Sequence, residues 1–171
     1  AVLFTYFAVN IPNFTLKSNL INILLHASVL GILAIGQTIV LLTGNFDLSV
    51  GSVLAFSAIM HAYMSKNGLP IWLSIIMCCV MAVAWGTLNG IMVGYLNVNP
   101  VIATIGTMYA TRGFAYLVAR WDGGANITAG LPAEFSDFGR TNLFGFLPII
   151  LVFMLAAVLI FLFVEKKTVL G

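Results

Sequence analysis

The chain has 171 residues, of which 61% are hydrophobic and 7% are charged, and its formal net charge is +2. Its seven basic and five acidic side chains are too few to cover a soluble protein of this length, whereas lipid requires no such cover. The mean hydropathy of +1.11 also excludes an ordinary soluble domain. Because the positive charge is small and scattered, nucleic-acid binding is not indicated. The sequence therefore predicts a membrane protein.

Six apolar runs follow one another along the chain, at residues 1–11, 20–43, 48–65, 69–96, 100–119 and 146–164. The last five reach or approach the roughly 17 to 25 helical residues that cross about 30 Å of hydrocarbon, and the first is shorter. Backbone N–H and C=O groups in lipid must form their hydrogen bonds within the spanning segment, so helices rather than strands are expected. We predict an all-α, polytopic transmembrane bundle with about five full spans and a truncated first helix.

Turn residues mark the ends of several runs. Asn99 followed by Pro100 is typical of a helix N-cap with proline at the first helical position, and Gly68 is typical of a helix C-terminus. Residues 120–145 contain two adjacent glycines, a proline and most of the acidic residues, and we expect them to form the one long extramembrane loop. Within this loop, residues 132–138 are predicted to form a short interfacial helix.

An acidic residue, Asp47, interrupts the apolar sequence between the second and third runs. Exposing a carboxylate to lipid is costly, so Asp47 is expected to face water, the bundle interior or a helix N-terminus. Gly44 can end one helix, and Asp47 can cap the next by accepting from N–H groups near Ser49 and Val50. Two interpretations remain open here: a tight, capped helix break near Asp47, or a direct role in gating or substrate contact.

Small residues recur every four positions in the fourth run and predict close helix packing there and in the fifth run. The glycines to which we assign this role are Gly86, Gly90, Gly94 and Gly106. In the fifth run, Thr104, Thr107 and Thr111 share another helical face. Their hydroxyls either line a polar path or bond to carbonyls of their own helix.

Three further polar residues lie inside apolar runs. Gln37 and Asn89 can form hydrogen bonds between helices or face a pore. Arg112 either extends to the membrane interface or contacts a polar pathway. No metal-ligand spacing, phosphate-binding loop or nucleophile with an adjacent base is found, so we expect no metal, cofactor or catalytic residue in this chain.

Four motifs in a fixed order resemble those of the ribose-type, monosaccharide-transporting permeases of ATP-binding-cassette (ABC) importers. They are residues 32–38 (ILAIGQT), 42–44 with 47–52 (LTG and DLSVGS), 88–90 (LNG), and 100–108 with 112–113 (PVIATIGTM and RG). One departure is Asn45-Phe46, where members of the family usually carry Gly-Ile. On this resemblance the chain is identified as most of the N-terminal half of such a permease, truncated at both ends.

The resemblance implies a permease subunit that translocates a monosaccharide across the bacterial inner membrane. Its expected partners are a second permease subunit, in a homodimer or heterodimer, a periplasmic sugar-binding protein and cytoplasmic ATPase subunits that carry out ATP hydrolysis. The candidate residues for a substrate pathway or gate are Gln37, Asn45, Asp47, Ser49, Asn89, Thr104, Thr107, Thr111 and Arg112. Two alternatives are an ion-coupled carrier or channel that uses Asp47 and a membrane scaffold without transport.

The orientation of the 120–145 loop is predicted differently by two criteria. If successive spans cross the membrane in opposite directions, four basic residues lie on the same side as the loop and two lie on the other side. The four are Lys17, Lys66, Arg120 and Arg140, and the two are Lys166 and Lys167. The positive-inside rule then favours a cytoplasmic loop. The family resemblance favours a periplasmic loop, and we follow the family.

Overall fold

The computed structural model describes residues 2–121, 131 and 141–167. These residues form six helices: α1 (Val2–Asn10), α2 (Lys17–Leu42), α3 (Val50–Lys66), α4 (Ile71–Gly94), α5 (Pro100–Trp121) and α6 (Ile149–Lys167). A short antiparallel hairpin of β1 (Asn142–Leu143) and β2 (Leu147–Pro148) precedes α6. The helices follow the predicted apolar runs closely, so the all-α class is confirmed. The predicted helix at 132–138 lies outside the described residues.

The predicted number of five full spans is not confirmed. Among the described helices, three are long and apolar enough to cross a membrane: α2, α4 and α6. The helix α3 has 17 residues and is therefore about 26 Å long, slightly less than the hydrocarbon thickness. The helix α5 has 22 residues, but it carries three buried threonines and two arginines, which lower its hydropathy.

Glycines in the left-handed conformation end α2 and α3, as the sequence predicts. Gly44 has φ +76° and Gly68 has φ +86°, a region that other residues rarely adopt. After α3, the Leu69 N–H donates to the Met64 carbonyl at 3.0 Å, and the Gly68 N–H donates to Ser65 at 3.2 Å. This pair of bonds is the Schellman motif, which satisfies carbonyls at the end of a helix.

The N-terminus of α5 also has the predicted cap. The Asn99 Oδ1 atom accepts hydrogen bonds from the backbone N–H groups of Val101 at 3.0 Å and Ile102 at 3.4 Å. Pro100 occupies the first helical position, where its missing N–H costs nothing. The α4–α5 connection is therefore determined by a local signal in the sequence.

Residues 39–138 form one of two compact units. Within it α3 contacts both α4 and α5, and α4 contacts α5. Phe56 of α3 and Ala115 and Val118 of α5 are the buried centre of this contact. Partly buried side chains of α3 and α4 surround it, namely Ile59, Met60, Tyr63, Met81 and Trp85.

The other unit contains residues 1–38 and 139–171. In this unit α6 reaches α2 at Gly31, because a Cβ atom placed on Gly31 would lie 2.5 Å from Met154 Sδ. Glycine at position 31 therefore leaves the space that the Met154 side chain occupies. This contact does not involve any of the four glycines to which the sequence assigns helix packing.

Candidate functional site

The connection between α2 and α3 is built around the Asp47 carboxylate. Asp47 Oδ1 accepts the backbone N–H of Ser49 at 2.7 Å and the Ser49 hydroxyl at 2.6 Å. Ser49 is the N-cap residue of α3, but its own side chain makes no capping bond to that helix. The predicted bond from the Ser49 N–H is thus observed, and it holds the residue that precedes the first residue of α3. A bond from the Val50 N–H to Asp47 is not among the described contacts.

Ser49 connects this turn to α4. Its hydroxyl is almost fully buried and lies 2.9 Å from Asn89 Nδ2. A hydroxyl has one proton, and an ionised carboxylate can only accept, so the Ser49 proton is directed to Asp47. The Ser49 oxygen must then accept from the Asn89 amide, which fixes the orientation of that amide. Asp47, Ser49 and Asn89 therefore form a continuous chain of hydrogen bonds.

The other end of the Asn89 amide is unsatisfied. Asn89 is 6% exposed, and its Oδ1 atom has no hydrogen-bond partner among the described residues. Buried polar atoms are nearly always hydrogen-bonded, and an unpaired one destabilises the fold. The position of the Asn89 oxygen is therefore not explained by the stability of this unit. It is an acceptor held in place by the Ser49 bond.

The threonine row of α5 is buried against its neighbours. Thr104 donates to the Pro100 carbonyl at 2.8 Å, and Thr107 donates to the Thr104 carbonyl at 3.1 Å. The predicted bonding to carbonyls of the same helix is therefore observed, and the role of the row in a polar path stays a prediction. Thr111 lies 2.7 Å from the Ser52 hydroxyl, so it also joins α5 to α3.

A cavity of about 350 Å³ lies beside the Asp47 turn. Its polar lining includes four of the residues predicted for a pathway, and these are Asn45, Asp47, Asn89 and Thr104. The remaining lining residues are Val40, Thr43, Phe46, Gly86, Gly90, Val93, Gly94 and Pro100. The other predicted pathway residues do not line it, namely Gln37, Ser49, Thr107, Thr111 and Arg112.

The glycine row of α4 forms part of the cavity wall, which sequence reasoning missed. A Cβ atom on Gly86, Gly90 or Gly94 would meet no atom within 4 Å among the described residues, and the same holds for Gly106 of α5. The predicted packing role of these four glycines stays a prediction. Glycines at this spacing leave a strip of the α4 surface without side chains. The sequence does not decide whether a neighbouring helix or a cavity lies against that strip.

Side-chain donors of the cavity lining are largely engaged. The Thr43 hydroxyl donates to the Val40 carbonyl at 2.7 Å, and the Thr104 hydroxyl donates to Pro100. Asn45 Nδ2 donates to the Thr43 carbonyl at 3.1 Å and lies 3.0 Å from the Thr43 hydroxyl. Over the described part of the chain, the lining contains one carboxylate and no basic side chain. The cavity therefore offers acceptors and favours ligands that bring hydrogen-bond donors.

Long apolar helices, with a cavity lined in part by polar side chains beside a helix break, are the features of a helical membrane protein. Residues 19–171 match the family described as "Branched-chain amino acid transport system / permease component". The chain belongs to this family of ABC transporter permeases, which confirms the resemblance to the sugar permeases.

Two relatives of the chain are the proteins named "Autoinducer 2 import system permease protein LsrD" of Yersinia pestis (strain Pestoides F) and Yersinia pseudotuberculosis serotype O:1b (strain IP 31758). Each is 34% identical to the chain over 154 residues, which are 86% of this chain and 46% of the relative. The chain thus spans about half the length of the curated relatives that it matches. No solved structure matches it at a significant level. These similarities favour a transporter permease over the ion-coupled carrier.

Proposed function

We propose that the protein is a permease subunit of an ABC importer that moves a monosaccharide or a related small polar solute across the bacterial inner membrane. The observation that carries this proposal is the cavity beside Asp47, Asn89 and Thr104, which combines a solute-sized volume with hydrogen-bond acceptors. Family membership supports the class of transporter. Autoinducer 2 is a second candidate solute, on the printed name of the LsrD relatives alone.

The composition of the cavity wall narrows the chemistry of the solute. A sugar presents several hydroxyl protons, which suit the Asp47 carboxylate, the Asn89 carbonyl and the Thr104 oxygen. The Asp47 carboxylate would repel an anion, and none of the described lining residues is basic and could offset this repulsion. We therefore propose a neutral, hydroxyl-rich solute over a phosphorylated or carboxylated one.

The membrane topology in this proposal has five full crossings. Beside α2, α4 and α6, the helices α3 and α5 also cross, and their polar side chains are tolerated because they face other helices. Ser52 and Thr111, for example, are buried against each other. The 120–145 loop would lie in the periplasm, where a sugar-binding protein delivers the solute. Residues 1–171 would form the partial transmembrane domain of a longer permease that pairs with a second permease and with cytoplasmic ATPase subunits.

Uptake by the complete permease tests this proposal. Radiolabelled D-ribose and autoinducer 2 would be offered to cells that express the permease with its binding protein and ATPase. We expect uptake of one of them to stop when the ATPase is replaced by a variant that cannot hydrolyse ATP. Uptake that continues with the inactive ATPase, and stops when the proton or sodium gradient is collapsed, would establish an ion-coupled carrier instead.

A further inference from the structure

The hairpin before α6 carries an exposed apolar tip. Phe144 is 89% exposed, Phe146 is 53% exposed and Leu143 is 36% exposed. Phe144 also has φ +54°, a conformation that is unfavourable for a bulky side chain. Within the described residues this conformation is not compensated by burial of the Phe144 ring. Strain that the described residues do not compensate points to a contact beyond them.

The position of α6 fixes the distance of this tip from the membrane. The helix begins at Ile149, immediately after the hairpin, and its 19 residues are about 28 Å long, so nearly all of it is needed to cross about 30 Å of hydrocarbon. The Ile149 N–H donates to the Thr141 carbonyl at 3.0 Å, which ties the hairpin to the helix start. Each two-residue strand extends about 7 Å. The headgroup layer is about 5 to 7 Å thick, so the tip lies within or next to it.

A lysine lies beside the same tip. Lys17 Nζ is 4.0 Å from the position of a Cβ atom on Gly145, and Lys17 is the first residue of α2, a second helix long enough to cross the membrane. Two membrane helices therefore begin at the level of this hairpin. Their N-termini carry positive partial charge, the same sign as the Lys17 ammonium. A cation next to exposed aromatic rings suits a lipid surface, because the cation can pair with the phosphate groups and the rings can contact the acyl chains.

We propose that Lys17 and residues 143–146 form a lipid anchor. In it, the Phe144 and Phe146 rings insert at the boundary of the acyl chains, and the Lys17 ammonium pairs with lipid phosphate. The Phe144 ring is exposed in the described structure and is available for insertion. The anchor fixes the level of the α2 and α6 termini in the bilayer. It does not depend on the transported solute or on the ATPase.

Spin-label accessibility tests the anchor directly. The complete permease, with Cys78→Ser, Cys79→Ala and replacement of any cysteine outside residues 1–171, would carry a nitroxide at Phe144→Cys and be reconstituted in vesicles of phosphatidylethanolamine and phosphatidylglycerol. The matched control is a nitroxide at Asn67→Cys, an exposed polar turn residue. We expect the label at 144 to be several-fold more accessible to oxygen than to a water-soluble nickel chelate. The label at 67 should show the opposite preference.

Two substitutions of Lys17 test its pairing with lipid phosphate. Lys17→Glu should raise the nickel accessibility of the label at 144, and Lys17→Arg should leave it unchanged, because only the first removes the attraction to phosphate. A label at 144 with the same nickel accessibility as the label at 67 would overturn the proposal. Immobilisation of the 144 label only on addition of the soluble binding protein would overturn it in favour of a protein-docking surface.

Discussion

Replacement of Ser49 by alanine tests the hydrogen-bond chain that joins the α2–α3 turn to α4. The substitution removes the hydroxyl that Asn89 Nδ2 contacts at 2.9 Å and that donates to Asp47 at 2.6 Å. The Asp47 bond to the Ser49 backbone N–H remains, so the turn itself is kept. What is lost is the interhelical link, together with the only partner of the Asn89 side chain among the described residues.

The expected loss of stability follows from these contacts. An interhelical side-chain hydrogen bond in a membrane protein contributes on average about 0.6 kcal/mol and at most about 1.7 kcal/mol. Leaving a buried amide unpaired costs about 1 to 3 kcal/mol. We therefore expect Ser49→Ala to lower the free energy of unfolding by about 1 to 3 kcal/mol. Asn89→Ala should cost less, because it deletes the unpaired Oδ1 atom together with the bond.

Reversible unfolding of the complete permease in mixed detergent micelles, followed by circular dichroism, would measure these changes. Ser57→Ala is the matched control on the same helix, because the Ser57 hydroxyl is buried and has no partner among the described residues. Its removal should be neutral or stabilising. The double variant of Ser49 and Asn89 should show a coupling energy of about 0.6 to 1.7 kcal/mol. A Ser49→Ala variant that is no less stable than Ser57→Ala would refute the reasoning.

Three further substitutions test other parts of the structure. Asp47→Ala should reduce solute uptake more than Lys66→Ala, because Asp47 both fixes the turn and lines the cavity. Equal uptake rates in the two variants would show that the Asp47 turn is not needed for transport. Gly90→Leu should reduce uptake at an unchanged melting temperature, because the new side chain enters the cavity, and a lowered melting temperature would instead assign Gly90 to helix packing. Gly31→Leu should cost about 1 to 3 kcal/mol by overpacking against Met154, and Met154→Ala should restore part of that loss in an unfolding titration. Failure of Met154→Ala to rescue would show that this contact is not the source of the strain.

The ends of the helices could be predicted from sequence because their signals are local. Gly44 and Gly68 adopt the positive φ that a helix C-terminus requires, and Asn99 accepts from N–H groups two and three residues ahead. The Asp47 hydrogen bond is equally local, since its partner Ser49 is two residues away. Each of these bonds forms between groups that the chain brings together regardless of how the helices pack.

The contacts between helices could not be predicted in the same way. Ser49 and Asn89 are 40 residues apart, and Ser52 and Thr111 are 59 residues apart. Nothing in the residue types decides which polar groups meet at such separations. The same applies to the contact of Gly31 with Met154, because the two residues lie on helices that are far apart in the sequence.

The two threonines of α5 at positions 104 and 111 show how structural and transport roles can be separated at this site. Both are buried, but Thr104 lines the cavity and its described hydrogen bonds stay within its own helix, whereas Thr111 joins α5 to Ser52 of α3 and lies away from the lining. In lipid, apolar surfaces gain little by meeting each other, so a polar link of the second kind supports helix association. A change in uptake after Thr111→Val would therefore come with lower stability. A change after Thr104→Val at unchanged stability would identify the cavity itself as part of the solute path.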